Sequence, residues 1–343
     1  MRTLTLQAKS GACKIALGES IANLKGYCEG AGMVVVITDS NVRRLHRGSL
    51  EGFEVIETKP GEANKTLETA GSIYDRLLEL EIDRSAFIVG MGGGIVCDIT
   101  GFVASTYMRG VGFGFVPTTL LAQVDASVGG KNGVNFKGYK NIIGTFRQPM
   151  FCLCDFELLK TLPKEEMRMG FAEAVKAAAI GDASLFSFLE GNWKKASELQ
   201  RTAIEKVVHD SLQVKMKVVS SDETEKGERM KLNFGHTIGH AIEKATGMPH
   251  GEAISIGMIG AAGLSRKRAG LSGAEEGKLG SLLKEIGLPT ALGARKDEVL
   301  EAIRKDKKRQ GAKIRMVLLE RIGSAKIVDV ALEDMEGVVD DMC

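Results

Sequence analysis

The stretch "AFIVGMGGGIVCDITGFVAST", from Ala86 to Thr106, places an apolar strand-like run before a glycine-rich turn and a helical segment. Glycines 90, 92, 93 and 94 let the backbone approach a pyrophosphate, and the N–H groups that begin a helix point toward its negative charge. The match to the dinucleotide-binding pattern GxGxxG is imperfect, because Ile95 stands where the last glycine belongs. A tight turn without a ligand explains these residues about equally well.

The segments before this turn extend it into a parallel sheet. "MVVVITDSN", from Met33 to Asn41, is a continuous β-branched run that ends in turn residues, as a buried strand does. "TLETAGSIYDRLLELEI" has the periodicity of an amphipathic helix and precedes the next apolar run. Strand, helix and strand at this spacing predict parallel strands joined by crossover helices, and hence an α/β domain.

Asp39 closes the first of these strands. The acidic residue that binds the ribose of a dinucleotide normally follows the glycine turn by ~20 residues. Asp39 precedes the turn instead, which argues against a standard Rossmann strand order. By spacing alone, it is better explained as the cap of a helix that begins at "SNVRRL".

The second half of the chain is different in character. The segment from Met167 to Ala179 is rich in alanine, and Trp193 to Val219 and Leu279 to Ile286 have helical periodicity. "KIRMVLLERIGSAKIVDV" predicts two strands around Gly323. With Pro163 suited to a first helical turn, we predict an α/β domain over residues 1–160 and a mostly helical domain over residues 161–343.

Composition excludes several functions. The 343 residues carry a net charge of +2, so no general field attracts nucleic acid or anionic lipid. The most apolar stretch, "GFGFVPTTLLAQVDASVGG", is too short and interrupted to span a bilayer. Six cysteines without framework spacing, and an N-terminus without a signal-like apolar run, predict reduced thiols and a cytoplasmic location. Cys152 and Cys154 fit alternate positions of a buried strand better than a metal half-site.

Charged residues recur where the sequence is otherwise apolar and small. Asp125, Lys131, Lys140 and Asn141 lie in "FVPTTLLAQVDASVGGKNGVN" and "GYKNIIGTFRQP", among glycines. Burying such groups is costly unless they bind something. Judged by charge alone, the run "RKDKKR", from Arg304 to Arg309, is as well explained by a solvated loop as by a functional segment.

The helical half has two further candidates. In "FAEAVKAAAI", Glu173 and Lys176 are three residues apart and share a helix face among alanines, which favours a functional site over a surface ion pair. In "LNFGHTIGHAIEKATGMPHGEA", His236 and His240 are four apart, like the pair of the zinc motif HExxH. Thr237 stands where that motif needs glutamate, so a metal pair and a core or capping role remain equally open.

Many ordered segments together resemble one family. They are "PGEANKTLET", "GMGGGIVCDITGF", "YMRG", "VPTTLLAQVDASVGGK", "KNIIGTF", "GFAEAVK", "LNFGHTIGHAIE", "HGEAISIGM" and "DKK", between residues 60 and 308. In this order they are similar to the signature segments of the 3-dehydroquinate synthases, within the sugar phosphate cyclase superfamily.

The resemblance implies a Rossmann-like NAD-binding domain followed by a helical domain with one catalytic divalent metal ion, zinc or cobalt. The implied reaction converts 3-deoxy-D-arabino-heptulosonate 7-phosphate, a phosphorylated sugar acid, to 3-dehydroquinate and phosphate in the shikimate pathway. It passes through transient oxidation by NAD, phosphate elimination, reduction, ring opening and an intramolecular aldol closure. The resemblance also implies a homodimer.

The same resemblance assigns residues to roles. The metal ligands are Glu173, His236 and His250, which releases His240 to act on the phosphate. Catalytic roles fall to Asp125, Lys131, Lys176 and His240. Substrate contacts fall to Arg109 (toward the phosphate of the neighbouring subunit), Asn141, Lys215, Arg229, Asn233 and Lys307, with Lys215 and Arg229 on the carboxylate. NAD contacts fall to Asp39, Glu62, Lys65, Gly92, Gly93, Gly94, Asp98, Thr118, Thr119 and Lys140.

Three residues depart from the pattern of the family, and two other kinds of enzyme are alternatives to the implied activity. Cys97, Asn132 and Arg147 replace a glycine, a threonine and a tryptophan that are usual in the family. A sister cyclase that makes an aminated dehydroquinate, 2-epi-5-epi-valiolone or 2-deoxy-scyllo-inosose is the nearest alternative, although Lys215 and Arg229 have less purpose with the two substrates that lack a carboxylate. A polyol dehydrogenase of the glycerol dehydrogenase type would instead release NADH at each turnover.

Overall fold

The computed structural model describes residues 1–293, 295–304, 309–310 and 313–342. The chain divides into two compact units, Met1–Pro163 and the residues from Lys164 onward. None of the helices in the described part of the chain is both long enough and apolar enough to cross a membrane.

The N-terminal unit alternates strands and helices. Its strands are β1 (Arg2–Ala8), β2 (Gly11–Leu17), β3 (Val34–Asp39), β4 (Glu54–Thr58), β5 (Phe87–Gly92), β6 (Gly112–Pro117), β7 (Lys131–Phe136), β8 (Tyr139–Phe146) and β9 (Phe151–Cys154). Its α-helices are α1 (Leu24–Tyr27), α2 (Ser40–Leu45), α3 (Leu67–Glu79) and α4 (Gly94–Thr106).

A seven-stranded sheet with the order β1-β2-β9-β6-β5-β3-β4 forms the centre of this unit. Only the edge strand β1 pairs antiparallel; the pairs from β2 to β4 are parallel. Strand β5 is buried along its whole length, as expected for a parallel strand covered on both faces. Val36, Val89, Val116 and Leu153 of adjacent strands contribute to one hydrophobic core.

The order of the strands creates a topological switch point. From β3 the chain crosses to β4 on one side, and from β4 it returns to β5 on the opposite side of β3. In open α/β sheets, ligands bind at the carboxyl ends of strands where the winding direction reverses. The carboxyl ends of β3 and β5 are therefore the edge at which a ligand is expected.

The C-terminal unit is mostly helical. Its helices are α5 (Lys164–Gly181), α6 (Ala183–Ser197), α7 (Arg201–Ser221), α8 (His236–Thr246), α9 (His250–Arg268), α10 (Gly273–Ile286), α11 (Lys296–Arg304) and α12 (Asp334–Asp340). A three-stranded antiparallel sheet has the order β10 (Arg309–Gln310), β11 (Lys313–Arg321) and β12 (Ser324–Ala331). The last two strands are the pair expected around Gly323.

Glycines bring α8 and α9 into backbone contact. A Cβ atom on Gly257 of α9 would lie 2.1 Å from the carbonyl oxygen of Gly235, and one on Gly239 of α8 would lie 3.0 Å from that of Ala253. A side chain at either position would collide with backbone that cannot move aside. This close crossing sets the distance between the histidines of α8 and the start of α9.

The observed architecture confirms the expected combination of an α/β unit and a mostly helical unit. The hairpins β1–β2 and β7–β8 were not among the expected elements. One strand of each is largely exposed: β1 has a single buried residue, and β8 is exposed or half-buried at every position. Strands β2 and β7 have buried residues, but their partners β1 and β8 are mostly exposed or half-buried, so neither hairpin has a continuous apolar run in both strands.

Candidate cofactor and metal sites

The glycine turn lies at the switch point of the sheet. Gly92 ends β5, Gly93 caps α4, and Gly94 begins that helix. A Cβ on Gly92 would lie 2.6 Å from the Cβ of Val96, so only glycine lets the turn close this tightly. Thr118 follows the neighbouring strand β6 and donates its backbone N–H to the Gly92 carbonyl at 2.9 Å, with Thr119 beside it.

Asp39 stands at the carboxyl end of β3, next to that turn in the sheet. Its Oδ1 accepts the backbone N–H groups of Asn41 at 2.9 Å and Val42 at 3.0 Å. The cap expected from spacing is thus confirmed. Because both bonds go to Oδ1, the cap leaves Oδ2 for another partner, so capping and ribose binding are compatible.

Lys65 joins residues expected to contact the cofactor and the substrate. Its buried Nζ donates to Asp98 Oδ2 and, at 2.6 Å, to Asn141 Oδ1. Glu62 Oε1 accepts from Asn135 Nδ2 at 2.9 Å, and Asn135 Oδ1 accepts the backbone N–H of Asn141 at 2.9 Å. The structure therefore ties the hairpin that carries Asn141 to the segment that carries Glu62 and Lys65.

Two of the departures from the family interact with each other at the base of the β7–β8 hairpin. Asn132 Nδ2 donates to the carbonyls of Gly130 at 3.0 Å and Arg147 at 2.9 Å. The Arg147 guanidinium donates to the Ala104 carbonyl at 3.0 Å and lies 5.3 Å from the centre of the Phe113 ring. The substituted residues anchor the hairpin, and the exposed Lys131 and Lys140 project from it.

Two of the remaining N-terminal candidates, Asp125 and Arg109, have an unusual backbone conformation. Asp125 lies in a π-helical turn, Ala122–Ala126, a rare conformation that is frequent at functional sites. Arg109 is exposed and, like Met108 before it, has a positive φ, +66° and +48° respectively. Cys97, the third departure, is fully buried in α4 with its Sγ 3.9 Å from the Gly92 carbonyl oxygen.

In the C-terminal unit, three residues from three helices converge. Glu173 Oε1 of α5 lies 3.6 Å from His236 Nε2 of α8 and 3.4 Å from His250 Nε2 of α9. One ligand atom from each lies within 4.8 Å of the others. A carboxylate oxygen and two imidazole nitrogens form the donor set of many catalytic zinc sites, which keep a further position for the substrate.

The burial of this group fits a cation. The Glu173 side chain is 1 % exposed, and neither of its carboxylate oxygens accepts a hydrogen bond of regular geometry within the described ranges. Lys176 Nζ lies 2.5 Å from Oε2, which leaves Oε1 facing the two histidines. Burial, followed by the charge of Lys176, lowers the pKa of His236 well below its usual value, so its imidazole stays in the neutral form that binds metals.

His240 occupies a different place from His236. It is exposed, and its ligand atoms group with Glu243 and His250 rather than with Glu173. The rings of His236 and His240 are 5.2 Å apart and perpendicular. The residue that the structure brings beside Glu173 and His236 is thus His250, and the four-residue spacing of His236 and His240 does not identify this group.

The cationic candidates of this unit are buried. Lys215 of α7 is 8 % exposed and Arg229 is 2 % exposed. Arg229 lies in the 3₁₀ turn Glu228–Asn233, which packs against α7, and its guanidinium donates to the Glu223 carbonyl. Asn233 Nδ2 donates to Glu225 Oε1 at 2.6 Å. Lys307 lies outside the described residues.

Sequence reasoning missed Glu243 and Asp222. Glu243 lies seven residues after His236, and hence on its helix face, but its partner His250 belongs to the next helix. Asp222 Oδ2 accepts the backbone N–H groups of Gly227 at 2.7 Å and Arg229 at 3.1 Å. The role of Asp222 could have been predicted, because an acidic residue before a glycine-containing loop often accepts hydrogen bonds from the backbone of that loop.

This fold and this ligand group define the class of two-domain, metal-dependent enzymes to which the sugar phosphate cyclases belong. Residues 55–169 match the family profile described as 3-dehydroquinate synthase N-terminal, and residues 170–309 match 3-dehydroquinate synthase C-terminal. The chain belongs to the 3-dehydroquinate synthase family.

Individual relatives agree with this assignment. A 3-dehydroquinate synthase from Dehalococcoides mccartyi is 39% identical over 359 residues, with 100% of both chains covered. The solved 2-epi-5-epi-valiolone synthase from Streptomyces hygroscopicus subsp. jinggangensis, with NAD+ and Zn2+ bound, has a TM-score of 0.89 at 29% identity, covering 100% of this chain and 99% of that one. A 2-deoxy-scyllo-inosose synthase complexed with carbaglucose-6-phosphate, NAD+ and Co2+ has a TM-score of 0.88 at 25% identity, covering 100% of both chains.

Proposed function

We propose that this chain converts 3-deoxy-D-arabino-heptulosonate 7-phosphate to 3-dehydroquinate and phosphate, using NAD+ and one zinc or cobalt ion. The observation that carries the proposal is the buried group of Glu173, His236 and His250, in a chain of this family. The NAD+ and divalent ions of the two solved cyclases support the choice of cofactors. When bound, NAD+ takes a hydride from the substrate and returns it, and the metal ion lowers the pKa of hydroxyls that it binds.

The N-terminal unit supplies the cofactor contacts. The glycine turn before α4 offers backbone N–H groups to the pyrophosphate, and Asp39 offers the carboxylate oxygen that its cap does not use to the ribose. The further contacts are Glu62, Lys65, Asp98, Thr118, Thr119 and Lys140. Support comes from the position of the turn at the switch point and from the Lys65 bonds that order this edge.

The charged ends of the substrate are held by cations and amides. Lys215 and Arg229 bind the carboxylate, and their burial strengthens each interaction because little water screens it. The phosphate is bound by Lys131, Asn141, Asn233, His240 and Lys307. His240 is exposed at the edge of the histidine cluster, where it can give a proton to the departing phosphate.

Lys176 and Asp125 act on the hydroxyls of the sugar. The Lys176 ammonium lies against Glu173 Oε2, and this ion pair compensates its buried charge. Lys176 donates hydrogen bonds to the substrate oxygen atoms that approach the metal group. Asp125 accepts a hydrogen bond from a hydroxyl, and its place in a π-helical turn, a conformation frequent at functional sites, supports that role.

The proposal extends to assembly and location. We place the enzyme in a homodimer in which Arg109 binds the phosphate of the neighbouring subunit; its exposure is compatible with that role. We also place the reaction in the cytoplasm. Five free thiols at Cys13, Cys28, Cys97, Cys152 and Cys154 support a reducing compartment.

A phosphate-release assay tests the reaction. With purified enzyme, NAD+, zinc and the heptulosonate phosphate, we expect stoichiometric phosphate and no net NADH, because the hydride is returned in each turnover. Exhaustive metal removal should abolish phosphate release, and added zinc or cobalt should restore it. Net NADH formation would instead indicate a dehydrogenase, and activity that survives metal removal would contradict the mechanism.

The substrate comparison separates this activity from the sister cyclases found among the solved structures. Sedoheptulose 7-phosphate and glucose 6-phosphate have no carboxylate for Lys215 and Arg229 to bind, so we expect turnover only with the heptulosonate. A substrate without the carboxylate forgoes the two parallel hydrogen bonds of a bidentate guanidinium–carboxylate pair. Preferred turnover of either sugar phosphate that lacks a carboxylate would assign the chain to a sister activity.

A further inference from the structure

Each histidine of the metal group has a partner for its second ring nitrogen. His236 Nδ1 lies 3.1 Å from the Phe234 carbonyl oxygen, and His250 Nδ1 lies 3.6 Å from Glu243 Oε2. Because a carbonyl only accepts hydrogen bonds, the His236 contact requires a proton on Nδ1 and leaves Nε2 to the metal. The two partners differ, since one is fixed backbone and the other is a side chain.

His250 is the less constrained of the two rings. Its side chain is 33% exposed, compared with 11% for His236. Both residues begin a helix, His236 in α8 and His250 in α9, and the Pro249 before His250 makes no side-chain capping bond. With a third of its side chain in solvent, the His250 ring has more rotational freedom than the more deeply buried His236 ring. Its direction therefore depends on what holds Nδ1.

Glu243 is placed to hold that nitrogen. It follows His236 and His240 on one face of α8, and its side chain is 14% exposed. Its Oε2 faces His250 Nδ1 at 3.6 Å, and Glu173 Oε1 faces Nε2 at 3.4 Å. The ring is thus bracketed by Glu173 at Nε2 and Glu243 at Nδ1.

We infer that Glu243 is a positioning residue that fixes His250 with its proton on Nδ1 and its Nε2 directed at the metal. The inference rests on the proposed metal site and adds a residue that does not itself bind the ion there. A carboxylate behind a histidine ligand fixes the tautomer and the ring orientation and makes the ligand nitrogen more basic. Such partners typically change metal affinity by about 10- to 100-fold.

A second metal ion held by His240, Glu243 and His250 is the competing explanation, because their ligand atoms also lie within 4.8 Å of one another. The two sites share one imidazole. That ring can offer both nitrogens to two ions only after losing its last proton, whereas one ion with a carboxylate behind the ring requires no such loss. The buried Glu173 favours the inner position for the single ion.

Metal binding by variants of the full-length protein tests the inference. The variants are Glu243→Ala, which removes the acceptor, and Glu243→Gln, whose amide oxygen still accepts from Nδ1 without a charge. Glu285→Gln is the matched control, because it removes one negative charge from an exposed position of α10 in the same unit. Zinc affinity is measured by competition with a chromophoric chelator, zinc stoichiometry by titration, and ligand geometry by the visible spectrum of the cobalt form.

We expect zinc affinity to fall about 10- to 100-fold in Glu243→Ala, less in Glu243→Gln and not at all in Glu285→Gln. The cobalt spectrum should change shape in Glu243→Ala. Equal thermal midpoints of the metal-free variants would show that the loss is not a folding defect. If Glu243→Ala is unstable, two other measurements test the inference: the zinc affinity of Glu243→Gln, and the ¹⁵N chemical shift of His250 Nδ1, which shows whether that nitrogen carries the proton.

Three outcomes would overturn the inference or its basis. Wild-type affinity in both Glu243 variants would show that the carboxylate does not position His250. Two zinc ions per wild-type chain, with loss of only the second in Glu243→Ala, would assign Glu243 to an outer metal site. If the wild-type protein binds no divalent ion at all, the proposed metal site fails before the role of Glu243 is reached.

Discussion

His250 and His240 lie in the same cluster but have different neighbours. His250 Nε2 faces the buried Glu173 carboxylate, whereas His240 is exposed beside Glu243. We predict that His250→Ala lowers zinc affinity by more than roughly 100-fold, beyond the range for an outer partner. His240→Ala should retain the metal and instead raise the KM for the phosphorylated substrate. Isothermal titration with zinc and steady-state kinetics check both variants, and the reverse pattern would restore the pair indicated by spacing.

Local spacing at the residue scale predicts only what one helix can show. It places His236 and His240 on one face of α8, and it places Glu173 and Lys176 on one face of α5, where the observed contact is 2.5 Å. It does not indicate that the face of α8 meets the first residue of α9, because that depends on the helix crossing. The set of Glu173, His236 and His250 came from resemblance, and the structure supplies its distances.

The crossing of α8 and α9 leads to a prediction at the scale of elements. Gly257→Ala would place a Cβ 2.1 Å from the Gly235 carbonyl oxygen, so the helices must separate. We expect a loss of roughly 1–3 kcal/mol in the free energy of unfolding, as for overpacked cores, together with weaker zinc binding. Urea unfolding followed by the fluorescence of Trp193, the single tryptophan, reports on this unit.

Gly277→Ala is the matched control for that variant. A Cβ at this position of α10 meets nothing within 4 Å. We therefore expect it to stabilise the unit by about 0.4–1 kcal/mol, because alanine reduces the freedom of the unfolded chain. Equal effects of the two substitutions would contradict the packing argument.

Elements could be predicted from the sequence where burial is one-sided or complete. The continuous apolar runs of β3 and β5 and the periodic face of α3 were predicted and observed. The β7–β8 hairpin was not, since its glycines, asparagines and exposed aromatic residues follow neither a strand nor a helix period. The order of the strands, and hence the switch point, depends on pairings between distant segments that no local pattern encodes.

At the scale of the whole molecule, the proposed dimer predicts complementation between defective subunits. Arg109→Ala removes the arginine offered to the neighbour, while His250→Ala removes a metal ligand within its own subunit. In a mixed dimer, the Arg109→Ala subunit keeps its metal site and receives Arg109 from the other subunit. We expect equal mixtures, unfolded and refolded together, to recover roughly a quarter of wild-type activity, because half of the dimers are mixed and each has one complete site.

Separate refolding of the two variants before mixing is the control, and it should give no recovery. Sedimentation of the wild-type protein should also show a dimer. A monomer with full activity, or mixtures no more active than their components, would remove Arg109 from the neighbour's site.

The distribution of cysteines along the chain gives each unit its own natural reporter of opening. The five described thiols are free, buried and confined to the N-terminal unit, while Trp193 lies in the C-terminal unit against Phe171. Burial raises the pKa of Cys97 well above the ordinary value, and the contact with Cys152 followed by burial does the same for Cys154, so these thiols are inert until water reaches them. With Cys343 replaced by serine, the rate of thiol labelling measures how fast the N-terminal unit opens. Tryptophan emission independently measures the opening of the C-terminal unit.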